Sequence, residues 1–277
     1  MKLVICSYKD KASINIADAL CSLVEWNEEG EFRGYPIKWW DDFCMLSIDE
    51  LHIYAERIDL EIEKSMEMNI DEIIFLSRHK SASGKPSLTA HPIGNWNRAE
   101  YGGEDRTLTP AAPDLMTSVL RQVNKEAEGL AHDVSFEVTH HGPLLSKPTM
   151  FLEIGSDEQS WEDKNLANTL AKSLLSLNIE KNMKIIGIGG GHYAPRFTDI
   201  ALSRQVSFGH MLPTYAMDFS DTDSIRHNIS LAMNASDTKI AYIHKKSIKR
   251  SEATIVSSLV QDLGGTVVSS SDLERIP

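Results

Sequence analysis

The stretch Glu137–Ser156, EVTHHGPLLSKPTMFLEIGS, joins two apolar segments and places ionisable side chains between and within them. Val134–Thr139 alternates apolar and polar residues, and Met150–Gly155 is a short apolar run, so that both are predicted β-strands. The pair His140–His141 follows the first strand, just before a Gly-Pro turn, and Glu153 lies inside the second. The fold is therefore expected to bring imidazoles and a carboxylate together at strand ends.

Similar strands and helices alternate along the rest of the chain. Strands are predicted at Leu3–Ser7, Glu72–Ser77, Lys184–Gly189 and Lys239–His244, and helices at Ile14–Val24, Ile58–Met68, Asp114–Glu126, Asn165–Leu177, Ser224–Asn234 and Ala253–Leu263. This alternation predicts a layered α/β fold with a mixed, mostly parallel sheet. We expect residues 1–277 to form a single catalytic domain. Segment 79–113, with four prolines and four glycines, is predicted to be a long polar active-site loop.

The charge of the chain is unevenly distributed. The net charge is −12, and the segment from Glu25 to Glu72 contains fifteen acidic and four basic residues, so it carries nearly all of the excess. Most of these acids are expected to form a solvated face. The remainder is close to neutral and includes the basic run His244–Arg250, HKKSIKR. A polyanionic substrate therefore remains compatible with the acidic total.

No apolar run approaches the ~18 residues that a membrane span requires. The first ten residues have a short apolar run followed by charge, which is typical of a strand and not of a signal peptide. The three cysteines, Cys6, Cys21 and Cys44, include no CxxC pair, which favours reduced thiols in a cytoplasmic protein. We expect no membrane association.

Histidines cluster after predicted strands. Four of the ten, His79, His140, His141 and His192, lie within four residues of a strand's carboxyl end, which is where open α/β sheets bind ligands. Neutral imidazole is a good zinc ligand and a base near neutral pH. A His-His-Gly-Pro sequence by itself is more often a hydrogen-bonded turn. Moreover, adjacent strand residues point to opposite faces, so only one of the pair can face a pocket unless the chain turns.

Glu153 makes a site more plausible than a turn. A carboxylate buried within an apolar strand requires a cation, a metal or strong donors, whereas an edge strand would expose it to water. Beside the histidines it would be a metal ligand, a general base or the group that orients a histidine. His91, which ends the segment that begins at His79, is either a further ligand or a surface loop residue.

The glycine-rich segment GIGGGHYAPRF, Gly187–Phe197, is not a dinucleotide fingerprint. His192 stands where that motif requires glycine, and Pro195 falls where its helix should run. The segment is either a tight turn or a backbone that approaches an anion, with Gly189–Gly191 offering amide groups. Three candidate binding residues follow: His192 as a base, Tyr193 as an aromatic ring, and Arg196 as a fork that binds anions.

Six segments together resemble the archaeal and plant type of D-aminoacyl-tRNA deacylase. They are DKASINIADAL, FLSRHKSASGKPSLTAHPIGNW, VTHHGP, PTMFLEIGSDEQSW, GIGGGHYAPRFTDIAL and FGHMLP, and they span nearly the whole chain. The resemblance implies hydrolysis of the ester between a D-amino acid and the terminal ribose of tRNA, zinc dependence with one or two ions, and a three-layer α/β/α fold similar to peptidyl-tRNA hydrolase and nucleoside phosphorylases.

We therefore expect three groups of site residues. The metal ligands are His79, His91, His140 and Glu153; the catalytic residues are His141, Glu153 and His192; and the substrate-binding residues are Asn15, Arg78, Lys80, Gly189, Gly190, Gly191, Tyr193 and Arg196. The glycine amides would stabilise an oxyanion, and Arg78, Lys80, Lys85 and Arg196 would hold phosphates of the tRNA acceptor end.

Two other classes of function compete with this hypothesis. A metal-assisted hydrolase of a small ester or amide would use the same histidines. A non-catalytic RNA-binding module would need a basic groove interleaved with aromatic residues, but four of the five tryptophans lie beside acidic residues. We favour a monomeric deacylase that acts on the acceptor end of tRNA.

Overall fold

The computed structural model describes residues 1–82 and 84–276. In chain order the elements are β1 (Lys2–Ser7), α1 (Lys11–Leu23), β2 (Asn27–Phe32), β3 (Tyr35–Trp40), β4 (Phe43–Ile48), α2 (Ile58–Met66), β5 (Glu72–Lys80), β6 (Ser87–His91), β7 (Gly94–Asn95), β8 (Thr107–Leu108), α3 (Pro113–Glu126), β9 (Asp133–Phe136), β10 (Thr149–Ser156), α4 (Glu158–Trp161), α5 (Lys164–Leu175), β11 (Met183–Ile188), α6 (Pro195–Ser203), β12 (Val206–Leu212), α7 (Thr222–Ala235), β13 (Ile240–Ile243), α8 (Arg250–Asp262) and β14 (Thr266–Val268). Short 3₁₀ turns occupy His52–Tyr54 and Thr214–Ala216.

The largest sheet has eight strands in the order β2-β3-β4-β1-β5-β10-β6-β9. Its centre, from β4 to β10, is parallel, while β6 runs antiparallel to β10 and parallel to β9. Strand β2, which contains three glutamates, and strand β3 extend the sheet at one edge as an antiparallel ribbon. The predicted α/β class with a mixed, mostly parallel sheet is therefore confirmed.

Side chains alternate between two covered faces of this sheet. Val4 and Leu152 face the cluster that contains the apolar sides of α1, α3 and α5. Ile5, Phe75 and Phe151 face the opposite cluster with α2. Because both faces are covered, the central strands are continuously apolar, as buried parallel strands are. The predicted three layers follow from this arrangement.

A second, four-stranded parallel sheet, in the order β12-β11-β13-β14, contains the last strands of the chain. The sequence predicts one sheet and does not indicate this division. The chain beyond β9 leaves the first sheet and contacts the second, because Val138 N donates to the carbonyl of His192 at 3.0 Å and Thr139 N to that of Met211 at 3.1 Å. Helix α3 packs against strands of both sheets.

One prediction about local structure is wrong in part. Segment 79–113, predicted as a polar loop, contains the end of β5 and the fully buried strand β6, which lies between β10 and β9. The polar side chains of β6 belong to the face that carries the site. Pro195, which in the sequence argued against a dinucleotide loop, begins α6, where its missing N–H needs no partner. Ser83 of the predicted loop and Pro277 of the predicted domain lie outside the described residues.

Within the described part of the chain, no helix has the length and apolarity to cross a bilayer.

We expect Thr117→Val to destabilise the junction of α3 with the second sheet. The Thr117 hydroxyl accepts a hydrogen bond from the buried backbone N–H of Phe208 at 2.9 Å. Valine keeps the shape and removes the acceptor, so the free energy of unfolding in urea should fall by about 1–3 kcal/mol. Thr117→Ser is the matched control, because it keeps the hydroxyl and loses one methyl. Equal stability of the valine variant and the parent protein would contradict this role.

Candidate active site

Three adjacent strands, β5, β10 and β6, carry the first side chains of the site on one face. Their pairing sets Gly155 beside His79, Glu153 between Ser77 and Thr89, and Phe151 beside His91. The two-residue period of a strand then directs the side chains of His79, Glu153 and His91 to the same side. Register alone therefore brings two imidazoles and a carboxylate together.

Gly155 provides room for His79. A Cβ atom at this position would lie 2.5 Å from the Ser87 Oγ and 3.0 Å from the His79 Cδ2. Both distances are at or below the closest approach of real side chains, so any larger residue would displace the imidazole. The glycine is part of the site for a steric reason.

Three imidazoles have one ring nitrogen fixed by a backbone carbonyl. The Nδ1 atoms of His91, His140 and His141 lie 3.1, 2.8 and 2.6 Å from the carbonyl oxygens of Pro92, Val138 and Gly142. Because a carbonyl only accepts, each Nδ1 carries a proton, and in the neutral ring each Nε2 keeps its lone pair. These three rings can hold a metal ion together. The chain turns at His141, which has a φ of 43°, so both members of the pair reach the site.

Burial keeps the pair neutral. Loss of hydration and the neighbouring His91 lower the pKa of His141 to about 4, and the same two causes hold the pKa of His140 well below its usual value. His91 differs, because the adjacent Glu153 outweighs burial and raises its pKa. At neutral pH, His140 and His141 therefore present lone pairs and not protons.

Glu137 is a central residue of the site that sequence reasoning missed. Its side chain is fully buried, and its oxygens lie 3.0 Å from the His79 Nδ1 and 2.9 Å from the His192 Nε2. These approaches are short but not aligned as hydrogen bonds, so both carboxylate oxygens lack a hydrogen-bond partner among the described residues. The signal was present in the sequence: Glu137 directly follows Phe136 in the predicted strand Val134–Thr139, just as Glu153 follows MFL in the next strand.

Both carboxylates lie beside His79. Glu153 lies 3.6 Å from the His79 Nδ1 and 3.7 Å from the His91 Nε2. Burial opposes a charge on His79, but Glu137 and Glu153 outweigh it and raise the pKa of this imidazole to about 11. Conversely, although burial opposes its charge, these histidines hold the pKa of Glu153 far below its usual value. The cluster thus contains ionised carboxylates around a protonated imidazole.

The donor atoms fit a metal ion. Three overlapping groups place their potential ligand atoms within 4.8 Å of one another: His91, His140 and His141; His79, Glu137 and His192; and His91, Glu137 and Glu153. The His91 Nε2 and both Glu137 oxygens are buried without hydrogen-bond partners, which is costly unless a cation binds them. Nitrogen and carboxylate donors suit zinc.

An open cleft of about 410 Å³ gives access to the cluster. It is lined by Asp10, Leu51, His52, Ile53, Ser77, Arg78, His79, Lys80, Tyr101, His140, His141, Glu153 and His192. Arg78 stacks over the Trp161 ring, 5.1 Å from its centroid, and its backbone N–H donates to the buried Asp10 carboxylate. Tyr193 lies just behind the cleft, with its hydroxyl 2.9 Å from the His79 Nε2.

Several residues expected at the site lie elsewhere. The Asn15 amide donates to the carbonyls of Trp161 and Asp163 and joins α1 to the start of α5. Arg196 lines a separate cavity on the second sheet. The amide of Gly189 donates to Leu212, and that of Gly190 is within hydrogen-bonding distance of the Thr214 and Ser247 hydroxyls. These two amides are therefore not free to stabilise an oxyanion. No such bond forms at the exposed Gly191 amide in the described structure.

Lys85, expected to hold a phosphate, forms an ion pair with Asp133 and lies outside the cleft. The remaining expected residues, His79, His91, His140, His141, Glu153, His192, Arg78, Lys80 and Tyr193, lie in or beside the cleft.

Comparisons with known proteins agree with this geometry. The sequence matches the family profile described as D-aminoacyl-tRNA deacylase over residues 66–268. A D-aminoacyl-tRNA deacylase of Methanosarcina mazei is 36% identical over 98% of this chain and 93% of its own length. That of Pyrococcus abyssi is 38% identical over 95% and 98%.

A crystal structure, described as a conserved protein of unknown function, superposes with a TM-score of 0.88 at 32% identity, covering 100% of this chain and 99% of the other. The chain therefore belongs to the D-aminoacyl-tRNA deacylase family.

Proposed function

We propose that the chain hydrolyses the ester bond of D-aminoacyl-tRNA at the cleft, releasing the D-amino acid and tRNA. The observation that carries this proposal is the convergence of five imidazoles and two buried carboxylates on one open cleft, in a member of the D-aminoacyl-tRNA deacylase family. We infer that the chain acts as a monomeric catalytic domain in the cytoplasm, where charged tRNA is used.

We infer a zinc ion held by the Nε2 atoms of His91, His140 and His141. Their carbonyl-bound Nδ1–H groups fix the tautomer that ligation requires. His79, Glu137 and His192 could hold a second ion, and in that case His192 would be a ligand and not a proton donor. When bound, zinc polarises a carbonyl and lowers the pKa of water. Because His140 and His141 are already neutral, neither needs to lose a proton before binding.

Glu153 is our candidate for the proton acceptor. It is ionised at neutral pH, lines the cleft and lies beside His79 and His91. His141 was the alternative, but its Nε2 is committed to the inferred zinc site, because its Nδ1–H is bound to the Gly142 carbonyl. A carboxylate within reach of a water molecule in the cleft can take its proton as that water attacks the ester carbonyl.

His192 is our candidate for the proton donor to the leaving ribose oxygen. Its side chain is the most exposed of the cluster, at 39%, while its Nε2 lies 2.9 Å from the buried Glu137. A carboxylate in this position orients the ring. An imidazole at the mouth of the cleft would lie closer to the ribose of the tRNA than the buried metal ligands do.

The cleft also contains groups that suit a nucleotide. Arg78 and Lys80 line its wall, and Arg78 is held between Asp10 and the face of Trp161. These cations would contact phosphates near the ester. Selection for the D-amino acid would come from a wall that clashes with an L side chain, which is exclusion and not attraction.

A metal-assisted hydrolase of small esters is the second candidate, since the cluster by itself would serve it equally well. Rate measurements across salt concentrations separate the two candidates, because binding of tRNA phosphates weakens as salt rises and binding of a small ester does not.

We expect purified protein to release D-tyrosine from D-Tyr-tRNA and to lose this activity after dialysis against a chelator, with recovery on adding Zn²⁺. His141→Ala should lower the rate by about 100-fold or more, because it removes a ligand of the inferred zinc site. His227→Ala, on the exposed face of α7, is the control. Full activity of the chelated protein would contradict the zinc assignment, and full activity of His141→Ala would place the site elsewhere.

We expect Glu137→Gln to lower the pKa of His79 by about 1–3 units, because it removes one of the carboxylates that raise it. Ring-nitrogen NMR of the metal-free protein measures this directly. In the parent protein, stabilisation by protonated His79 is fully present below pH 6.5 and is lost as pH rises towards about 11. Glu162→Gln, which only breaks a surface pair with Lys11, is the control. An unchanged His79 titration would refute the coupling.

A further inference from the structure

A second cavity lies on the four-stranded sheet, outside the cleft. It encloses about 290 Å³ beside the carboxyl ends of β13 and β14, which is the end of a parallel sheet where ligands bind. Its polar side chains include Arg196, Tyr242, His244, Lys245, Lys246 and Ser270. None of these residues lines the cleft that contains the histidine cluster.

The cations of this cavity are not neutralised. Arg196 donates to the Tyr242 hydroxyl from Nε at 2.9 Å and to the Ser270 hydroxyl at 2.7 Å, and both acceptors are uncharged. Across residues 1–82 and 84–276, neither Arg196 nor Lys245 nor Lys246 forms an ion pair. A half-buried guanidinium that is oriented by neutral hydroxyls keeps its charge available for an anion.

His244, which also lines the cavity, lies close to two of these cations. Burial lowers the pKa of His244, and the charges of Arg196 and Lys246 lower it further. This requires the two cations to lie close enough to act on one ring. The cavity is therefore a convergent basic site within a protein whose net charge is −12.

One backbone segment joins the cavity to the cleft. The glycine turn packs on the loop after β13, where the Ser247 hydroxyl lies 2.8 Å from the Gly190 amide. The same segment continues to His192, which lines the cleft, and then to Arg196, which lines the cavity. The cleft and the cavity are therefore connected by the segment from His192 to Arg196, which a long ligand with its end in the cleft would follow.

The distribution of charge between the two sheets favours one side of the protein for a long anionic ligand. Strand β2, with three glutamates, lies at the edge of the first sheet, on the side away from β9. The second sheet joins at the β9 side, through the pairing of Glu137 with Tyr193. Residues 183–277 contain ten basic and nine acidic residues, whereas 25–72 contain four and fifteen. A polyanion is therefore repelled by segment 25–72 and not by the nearly neutral segment 183–277.

We propose that this cavity binds backbone phosphates of the tRNA acceptor stem, so that the stem crosses the second sheet while its aminoacyl end enters the cleft. This inference rests on the proposed function and adds the surface that holds the nucleic acid. Arg196 supplies a planar fork for a phosphate, and Lys245 and Lys246 supply mobile point charges. Such contacts give affinity without reading base sequence.

The test compares Lys245→Gln/Lys246→Gln and Arg196→Gln with the parent protein. Each variant should raise KM for D-Tyr-tRNA about tenfold with less effect on kcat, and weaken binding of uncharged tRNA measured by fluorescence anisotropy. The slope of log affinity against log salt should fall by about one per lost phosphate contact. Lys125→Gln/Lys172→Gln removes the same charge from exposed positions on α3 and α5 and should change neither KM nor the slope.

Binding and salt slope that remain at parental values in both cavity variants would overturn the proposal. Because tRNA binding is measured without hydrolysis, that result is distinct from failure of the deacylase function, in which the parent protein would not cleave D-Tyr-tRNA. Titration with inorganic phosphate tests whether the cavity binds free phosphate and not the phosphates of tRNA. Loss of phosphate binding in the variants with unchanged tRNA affinity would also overturn the assignment to RNA.

Discussion

Two carboxylates buried beside one another, Glu137 and Glu153, are the constraint on which the site depends. Removing an ionised carboxylate from water costs several kcal/mol unless opposite charges and donors replace the lost hydration. Here the replacement is a set of imidazoles, with His79 within 3.6 Å of both. One imidazolium cannot balance two negative charges, so the metal-free cluster favours further cations. Metal binding and protonation therefore compete for the same nitrogens.

The fold supplies this cluster by combining two kinds of connection. Strand register delivers His79, His91 and Glu153 on one face, and register is hard to change because a one-residue slip would move every side chain to the other face. Glu137 and His192 arrive differently, through the antiparallel bridge that joins the first sheet to the second. The Thr139 hydroxyl strengthens this junction, since it accepts from the Met211 N–H and lies 3.1 Å from the His210 Nδ1. The buried His210 therefore fixes the junction and does not face the cleft.

The sequence was sufficient for the elements with strong periodicity and for the histidines that follow them. Six elements match their predicted ranges within a few residues: strands β1, β5, β10 and β11 and helices α2 and α3. Each buries one or both of its faces, and burial produces a regular apolar pattern in the sequence. Strand β6 was missed because three of its five residues are polar, and they point to the site. Tertiary position, and not local propensity, decides such a strand. The ribbon of β2 and β3 was missed for a different reason. Most of β2 faces solvent, so its sequence has no pattern of buried residues that would indicate a strand.

The roles of Glu137 and of Gly189–Gly190 could not be predicted from the sequence, because they depend on partners that only the structure brings near. A glutamate after an apolar run signals burial, but only the second sheet reveals that His192 meets it. The glycine turn suggested free amides for an oxyanion, whereas the Gly190 amide faces the hydroxyls of Thr214 and Ser247 and the Gly189 amide donates to the Leu212 carbonyl. These partners end or follow strands of the second sheet, so the contacts fix the turn within that sheet, against the loop that carries Lys245 and Lys246. The segment that leaves the turn places His192 in the cleft and Arg196 in the basic cavity, so a ligand that spans both sites would pass along it.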